Sequence, residues 1–166
     1  MKQIVNVDIN FGIGKNNQLL IHIPDDLKYF KKQTLNKVVV MGKNTFLSLP
    51  NQQPLKDRVN IILTSQKDFL VTGAIVVHNL EQLFTILKDY DNDDIYVIGG
   101  ASIYEQLLPF CDQILITKTY FDFKADRFFV NIDNLEEFEI IDKSDMYEYQ
   151  GYQYQFLTYQ RRKISD

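Results

Sequence analysis

The chain has 166 residues, 45% of them apolar and 24% charged, which is ordinary for one globular domain spanning residues 1–166. Its net charge of −4, with no basic run, argues against general nucleic-acid binding. One cysteine excludes an internal disulfide framework, and no apolar run approaches the ~18 residues of a membrane span, so we expect a cytoplasmic protein. No metal site is predicted.

The chain is predicted to open with a strand over residues 4–9 and a glycine-containing loop over residues 11–19. Gly12 and Gly14 could begin a dinucleotide-binding fingerprint. Asn17 stands where that motif has its last glycine, and no helix follows directly. We therefore reject the motif.

A helix is predicted over residues 24–35, where proline suits the first turn. At ~100° per residue, Asp26 shares an apolar stripe with Phe30, whereas Asp25 points away with Lys28. A carboxylate on the apolar side should have a raised pKa unless it is paired, and such groups concentrate at functional sites. The alternative is an acid that only serves the helix dipole.

Three buried strands are predicted over residues 38–41, 59–63 and 95–98. Each is followed by glycines or small polar residues, which are Gly42, Lys43, Asn44 and Thr45, then Thr64, Ser65 and Gln66, then Gly99 and Gly100. The carboxyl ends of parallel strands are where α/β sheets bind ligands. A phosphotransferase loop is excluded, since it would need Ser or Thr at Asn44. The glycine pair fits either a ligand's close approach or a tight turn alone.

The remaining pattern predicts helices after Asn79 and after Gly100, the second ended by Pro109. Strands over residues 114–120, 138–141 and 152–159 lack intervening helices, so antiparallel pairing is expected. A short helix is also predicted after Gly42, ending near Pro50. The helix N-termini after Gly42 and Gly100, a polar strand end and a buried carboxylate together suggest an extended anionic ligand beside a small polar heterocycle. Composition and periodicity lead no further.

An ordered set of short motifs spans nearly the whole chain. It comprises Ile13-Gly14, Leu-Ile-His-Ile-Pro-Asp-Asp-Leu (20–27), Thr-Leu-Asn-Lys (34–37), Met-Gly-Lys-Asn-Thr-Phe (41–46), Arg58 with Asn-Ile-Ile-Leu-Thr-Ser (60–65), Val-Ile-Gly-Gly-Ala-Ser-Ile-Tyr (97–104) and Ile-Thr (116–117). Each motif is weak alone, but in this order they resemble the dihydrofolate reductase family. The resemblance implies an α/β fold: a single twisted, eight-stranded, mostly parallel sheet, about four flanking helices and an antiparallel C-terminal edge.

The implied activity is the reduction of 7,8-dihydrofolate to tetrahydrofolate for one-carbon metabolism, with hydride from NADPH and a proton gained at pterin N5. Dihydrofolate and folate analogues are the implied partners, and a monomer is expected. Two alternatives stay open. One is the related NADPH reductase of riboflavin biosynthesis, which acts on a ribosylated pyrimidine, although Arg58 and the helix from Pro24 to Asp26 favour folate. The other is a nucleotide-binding relative that has lost catalysis.

The resemblance also implies roles on the substrate side. Asp26 would hold the pterin through its amide and 2-amino group, with Thr117 supporting it. Arg58 would take the glutamate α-carboxylate, a pairing that suits the guanidinium fork, although a surface charge is the usual fate of arginine. The other expected substrate contacts are Val5, Asn6, Leu27, Phe30 and Ile98.

For NADPH, the resemblance implies a larger set of contacts. These are Ile13, Gly14, Leu19, Gly42, Lys43, Asn44, Thr45, Thr64, Ser65, Gln66, Gly99, Gly100, Ala101, Ser102, Ile103 and Tyr104. Lys43 and Ser65 would meet the 2′-phosphate, and the glycine pair would be the family's cis pair beside the pyrophosphate. The loop over residues 11–23 would close over the nicotinamide, pinned by Asp126.

The chain departs from the family pattern at several positions. Leu20 and Ile21 stand where proline and tryptophan are usual, and Asn6 stands where a small alanine is usual. Lys43 replaces the commoner arginine, and Val130 replaces a frequent proline. These departures bear on rate, lid behaviour and inhibitor fit more than on the type of reaction.

Overall fold

The computed structural model describes residues 1–163. Its strands are β1 (Lys2–Val7), β2 (Gly12–Gly14), β3 (Val38–Gly42), β4 (Val59–Leu63), β5 (Ile75–Val77), β6 (Ile95–Gly99), β7 (Gln113–Thr119), β8 (Arg127–Phe128), β9 (Phe138–Lys143), β10 (Tyr147–Tyr149) and β11 (Tyr152–Arg161). Its α-helices are α1 (Pro24–Thr34), α2 (Lys43–Leu47), α3 (Leu80–Leu87) and α4 (Ala101–Leu107). None of the helices in this part of the chain is long and apolar enough to cross a membrane.

The main sheet has the strand order β10-β11-β7-β1-β6-β3-β4-β5, and β9 also pairs with β11. Because β9 and β10 pair with successive segments of β11, the sheet is eight strands wide. Neighbours from β7 across to β5 are parallel, whereas β11 runs antiparallel to β7. The expected eight-stranded, mostly parallel sheet with four helices and an antiparallel C-terminal edge is confirmed.

Helices cover both faces of the sheet, which is why the parallel strands are almost continuously apolar. Val38 and Val40 of β3 share a core with residues of α3 and α4, whereas Val39 and Met41 pack with α2 on the other face. Ile4 of β1 packs with Tyr29 and Phe30 of α1. Side chains two residues apart on a strand share a face, so Asn6 also faces α1.

The end of β1 differs from the sequence prediction. β1 ends at Val7 instead of residue 9, because the buried Asp8 carboxylate turns the chain. Its Oδ1 accepts hydrogen bonds from the backbone N–H of Asn10 (2.9 Å) and of Gly12 (2.8 Å). Such local side-chain bonds favour turns over strands.

Three short strands were absent from the sequence predictions. β2 lies within the predicted loop over residues 11–19, and it pairs with β8 in a separate two-stranded sheet. β10 forms a hairpin with β11. Strands of two or three residues contain too few positions for a period of two to be recognised.

Gly12 offers a test of the turn at Asp8. A Cβ at this position would lie 2.4 Å from Ala125 Cβ and 2.9 Å from Asp8 Oδ1. We expect Gly12→Ala to lower the free energy of unfolding by about 1–3 kcal/mol, the usual cost of overpacking. Urea denaturation would measure this loss. The double variant with Ala125→Gly should recover part of it, whereas equal stability of the single variant and the unaltered chain would contradict the packing at this turn.

Candidate active site

A cleft of about 1080 Å³ opens at the carboxyl ends of β3, β4 and β6. It contains all but one of the residues expected to contact NADPH, namely Ile13, Gly14, Leu19, Gly42, Lys43, Asn44, Thr45, Thr64, Ser65, Gly99, Gly100, Ala101, Ser102, Ile103 and Tyr104. Three residues expected on the substrate side, Val5, Asn6 and Ile98, also line it. The sheet therefore gathers at one edge residues that are far apart in sequence, as parallel topology predicts.

The glycines of the cleft allow β3–α2 and β6–α4 to approach each other closely. The Gly99–Gly100 peptide bond is cis, and Gly99 has a φ of +125°, which side chains rarely tolerate. A Cβ on Gly42 would lie 3.0 Å from Ile103 Cγ1, and one on Gly100 would lie 3.3 Å from Thr45 Oγ1. Side chains at Gly42 and Gly100 would therefore press on Ile103 and Thr45, and glycine allows the two elements to meet at the cleft.

At one end of the cleft, the ammonium group of Lys43 lies among hydrogen-bonding side chains. Lys43 Nζ donates to Gln66 Oε1 and lies 5.1 Å from the centroid of the Phe69 ring. The backbone N–H of Gln66 donates to Thr64 Oγ1 (3.2 Å). Gln66 is the one expected cofactor contact outside the cleft lining; its side chain reaches the site through Lys43. His78 Nδ1 lies 2.8 Å from the Thr64 carbonyl oxygen, next to this group.

Asp26 lies in the first turn of α1, and both of its carboxylate oxygens are hydrogen-bonded. Thr117 Oγ1 donates to Oδ1 (2.6 Å), and Asn6 Nδ2 donates to Oδ2 (2.8 Å). The two donors are register partners on the adjacent strands β1 and β7. Burial raises the pKa of the Asp26 carboxyl, and the bonds from Thr117 and Asn6 oppose that rise. The sequence prediction that Asp26 faces the apolar side of its helix, away from the exposed Asp25, is confirmed.

The same face of α1 leads from Asp26 to Arg58. Phe30 is partly buried, and Leu27 is half exposed, so an apolar surface remains free next to Asp26. Arg58 Nη1 donates to Thr34 Oγ1 at the end of the helix (3.1 Å), and its Nε donates to the Lys56 carbonyl oxygen (2.9 Å). A rise of 1.5 Å per residue separates Asp26 and Thr34 by about 12 Å along the axis.

The loop expected to act as a lid borders the cleft and is tied to β2 and its neighbours. The backbone N–H of Asn16 donates to Asp126 Oδ2 (3.0 Å), and the Asp126 N–H donates to the Gly14 carbonyl oxygen (2.9 Å). Leu19 lies half exposed on the cleft, and Ile21 is partly buried. The expected contact of Asp126 with this loop is present.

Sequence reasoning missed the wall of the cleft formed by Arg127, Phe128 and Val130. Phe128 and Val130, on either side of the buried Phe129, are about half exposed, whereas large apolar side chains are more often buried. β8 is only two residues long, so periodicity could not reveal it. The sequence signal for this wall was the apolar run after Arg127, but such a run is equally typical of a buried strand.

The model of the family described as dihydrofolate reductase matches residues 1–161. The chain belongs to the dihydrofolate reductase family. It is 35% identical to dihydrofolate reductase of Bacillus subtilis over 98% of this chain and 95% of that protein. It is 37% identical to dihydrofolate reductase of Haemophilus influenzae over 82% of each.

A solved structure of dihydrofolate reductase from Enterococcus faecalis, complexed with NADP(H) and RAB-propyl, has the same fold. Its TM-score is 0.86 at 29% identity, over 98% of this chain and 96% of that one. The dihydrofolate reductase fold expected from the sequence motifs is therefore confirmed over nearly the whole chain.

Proposed function

We propose that the cleft and the adjacent face of α1 divide the binding of NADPH and dihydrofolate between them. Membership of the dihydrofolate reductase family makes the chain an NADPH-dependent oxidoreductase that reduces 7,8-dihydrofolate to 5,6,7,8-tetrahydrofolate. The observation that carries the residue assignment is the arrangement along α1. A hydrogen-bonded carboxylate, a free apolar surface and an arginine follow one another beside a cleft suited to phosphates.

NADPH fits the chemistry of the cleft. Lys43 provides a positive charge near the Thr64 and Ser65 hydroxyls, a suitable set for the adenosine 2′-phosphate. Gly99 and Gly100 line the cleft without side chains, so a pyrophosphate could approach their backbone next to the start of α4. When bound, NADPH supplies the hydride that reaches C6 of the dihydropterin. Ile13, Gly14 and Leu19 would enclose its nicotinamide from the lid side.

Dihydrofolate fits the face of α1 in length and polarity. Asp26 would accept hydrogen bonds from the pterin amide and 2-amino groups, and Leu27 and Phe30 would pack on the pterin and aminobenzoyl rings. The guanidinium of Arg58 would bind the α-carboxylate of the glutamate. The spacing of about 12 Å along the helix suits an elongated substrate with hydrogen-bond donors at one end and an anion at the other.

The chain's residues contribute orientation, charge and exclusion of water. An ionised Asp26 against the pterin edge favours the positive charge that develops as N5 takes a proton from water. The lid would keep bulk water from the reacting atoms. We expect the rate to fall as pH rises, because N5 protonation becomes scarce.

Measuring NADPH oxidation by the purified chain tests the proposed function. Rapid oxidation with dihydrofolate, but not with a ribosylated pyrimidine, is the expected result. Oxidation with the pyrimidine alone would favour the riboflavin-pathway reductase, and oxidation with neither would favour a non-catalytic relative. The family match favours the first outcome.

We further propose a monomeric, single-domain enzyme over residues 1–166, acting in the cytoplasm. Asp26, Arg58 and the cleft all belong to one chain, so the site needs no second copy. Cys111 is a buried free thiol, which agrees with a reducing compartment. Sedimentation velocity would test the monomer, and a dimer at micromolar concentration would contradict it.

Lys43 should determine the choice of cofactor. We expect Lys43→Ala to reduce kcat/KM for NADPH while leaving that for NADH nearly unchanged, because only NADPH carries the 2′-phosphate. Steady-state kinetics with both cofactors would measure the preference. Lys67→Ala, an exposed lysine outside the cleft lining, is the control. If Lys43→Ala reduced kcat/KM for both cofactors equally, the 2′-phosphate site would be wrongly assigned.

A further inference from the structure

We propose that Asn6 is a positioning residue for dihydrofolate reduction, whose side-chain amide holds the Asp26 carboxylate in one orientation and helps to stabilise its negative charge. The proposal deepens the proposed function, because it rests on the role given there to Asp26. Asn6, a polar residue of β1, would thus act on the reaction through Asp26.

The register of the sheet brings two donors to Asp26 from the same face. Asn6 and Thr117 are paired residues of β1 and β7, so their side chains project side by side towards α1. They donate to different oxygens of Asp26, at 2.8 Å and 2.6 Å. Two bonds to two oxygens fix the plane of the carboxylate, which one bond would leave free to rotate.

The remaining acceptor capacity of the carboxylate matches the substrate. An ionised carboxylate has about four lone-pair sites, two on each oxygen. Asn6 and Thr117 use one on each oxygen, leaving one on each for a ligand. Adjacent donors on a planar heterocycle, such as a ring N–H and an amino group, can use these two sites together. Asn6 therefore helps to present Asp26 as a two-point acceptor.

The negative charge of Asp26 depends on these neutral donors. Asp26 forms no ion pair within residues 1–163, since none of the salt bridges there includes it. Burial favours its neutral form, and the bonds from Thr117 and Asn6 favour the ionised form. Because an ionised carboxylate only accepts hydrogen bonds, the amide nitrogen of Asn6 must face it.

The other titratable groups facing Asp26 do not titrate near neutral pH. They are Tyr29 on α1, Tyr104 on α4 and Tyr154 on β11. Burial raises the pKa of all three hydroxyls above the ordinary tyrosine value, so they stay neutral. Asp25, the neighbouring acid, is exposed to solvent. A change in Asp26 titration on removing the Asn6 amide can therefore be attributed to that amide.

The test is the pH titration of the Asp26 carboxyl carbon, followed by ¹³C NMR in the chain without ligands and assigned with Asp26→Asn. We expect the midpoint to rise by about one pH unit in Asn6→Leu, which keeps the number and branching of the side-chain heavy atoms and removes the donor. Asn6→Ala, a second variant that avoids the branched side chain, should give the same rise. Thr117→Val should give a comparable rise.

Thr119→Val is the matched control. Thr119 lies two residues beyond Thr117 on the same face of β7, and its buried hydroxyl makes no hydrogen bond with the described residues. The Asp26 midpoint should be unchanged in this variant. In kinetics, Asn6→Leu should raise KM for dihydrofolate several-fold and leave KM for NADPH nearly unchanged.

An Asp26 midpoint in folded Asn6→Leu or Asn6→Ala equal to that of the unaltered chain would overturn the proposal. So would an equal rise in Thr119→Val, because it would then reflect general disturbance of the sheet. An unaltered chain that does not reduce dihydrofolate would instead overturn the proposed function. The titration would in that case still report whether Asn6 stabilises the charge of Asp26.

Discussion

Asp26→Asn is expected to lower the rate of hydride transfer at neutral pH by ~10²-fold or more, in line with the contribution of acid–base groups to catalysis. The substitution keeps the size of the side chain, but it removes the negative charge and replaces one of the two acceptor oxygens with a donor. Charge at this position favours a protonated pterin, so its loss should affect the transition state more than binding. Single-turnover oxidation of NADPH, measured across pH, would give the rate directly.

Asp25→Asn is the matched control, one residue away on the same helical turn. Asp25 is exposed and borders a separate cavity of about 370 Å³, together with Lys28, Tyr29, Lys32, Tyr147, Tyr154 and Phe156. We expect its hydride-transfer rate to stay close to that of the unaltered chain. If Asp25→Asn were the damaging change and Asp26→Asn were silent, the assignment of the pterin site to this face of α1 would be wrong.

Asp26→Asn, although it should slow hydride transfer, should make the folded chain more stable at neutral pH. Burial raises the folded-state pKa of Asp26 above its value of 3.8 in a model peptide. A raised carboxyl pKa means that the folded state binds the proton more tightly than the unfolded state. The associated stability is fully present below pH 3.8 and is lost as pH rises through the folded pKa. Asp26→Asn, neutral at every pH, should therefore be more stable than the unaltered chain at pH 7, and this advantage should shrink on acidification.

Helical arithmetic was enough to select Asp26 from the acids of the chain, because the orientation of a side chain on a helix depends only on local sequence. Its partners were beyond the reach of local patterns. Asn6 and Thr117 meet Asp26 because β1 pairs with β7, and 111 residues separate the two donors in sequence. The strand register that joins them is a tertiary property.

The end of β1 and one wall of the cleft were also not predicted, because each depends on hydrogen bonds that form in the folded chain. The alternation that suggested a strand to residue 9 continues past Val7, but the buried carboxylate of Asp8 binds backbone amides and ends the strand. The wall at Arg127 and Phe128 depends on a two-residue pairing with β2. The parallel strands, by contrast, were identified correctly because long apolar runs buried on both faces are strong local signals.

Arg58→Leu should weaken dihydrofolate binding by about 2–5 kcal/mol, the usual cost of truncating one partner of a desolvated charge pair. The guanidinium is already held near the end of α1 by its bonds to Thr34 and to the Lys56 carbonyl oxygen. Little side-chain entropy therefore remains to be lost on binding, which supports the upper part of that range. NADPH affinity should be nearly intact, because Arg58 lies outside the lining of the cofactor cleft. Fluorescence titration with each ligand would measure both affinities.

Two further variants separate the charge of Arg58 from its placement. Arg58→Lys keeps the charge but loses the planar fork, so it should recover only part of the binding free energy. Thr34→Val removes the hydroxyl that receives a hydrogen bond from Nη1 while leaving the guanidinium present, so its loss should be smaller than that of Arg58→Leu. Equal weakening of NADPH and dihydrofolate by Arg58→Leu, or of neither, would contradict the placement of the glutamate α-carboxylate at this end of α1.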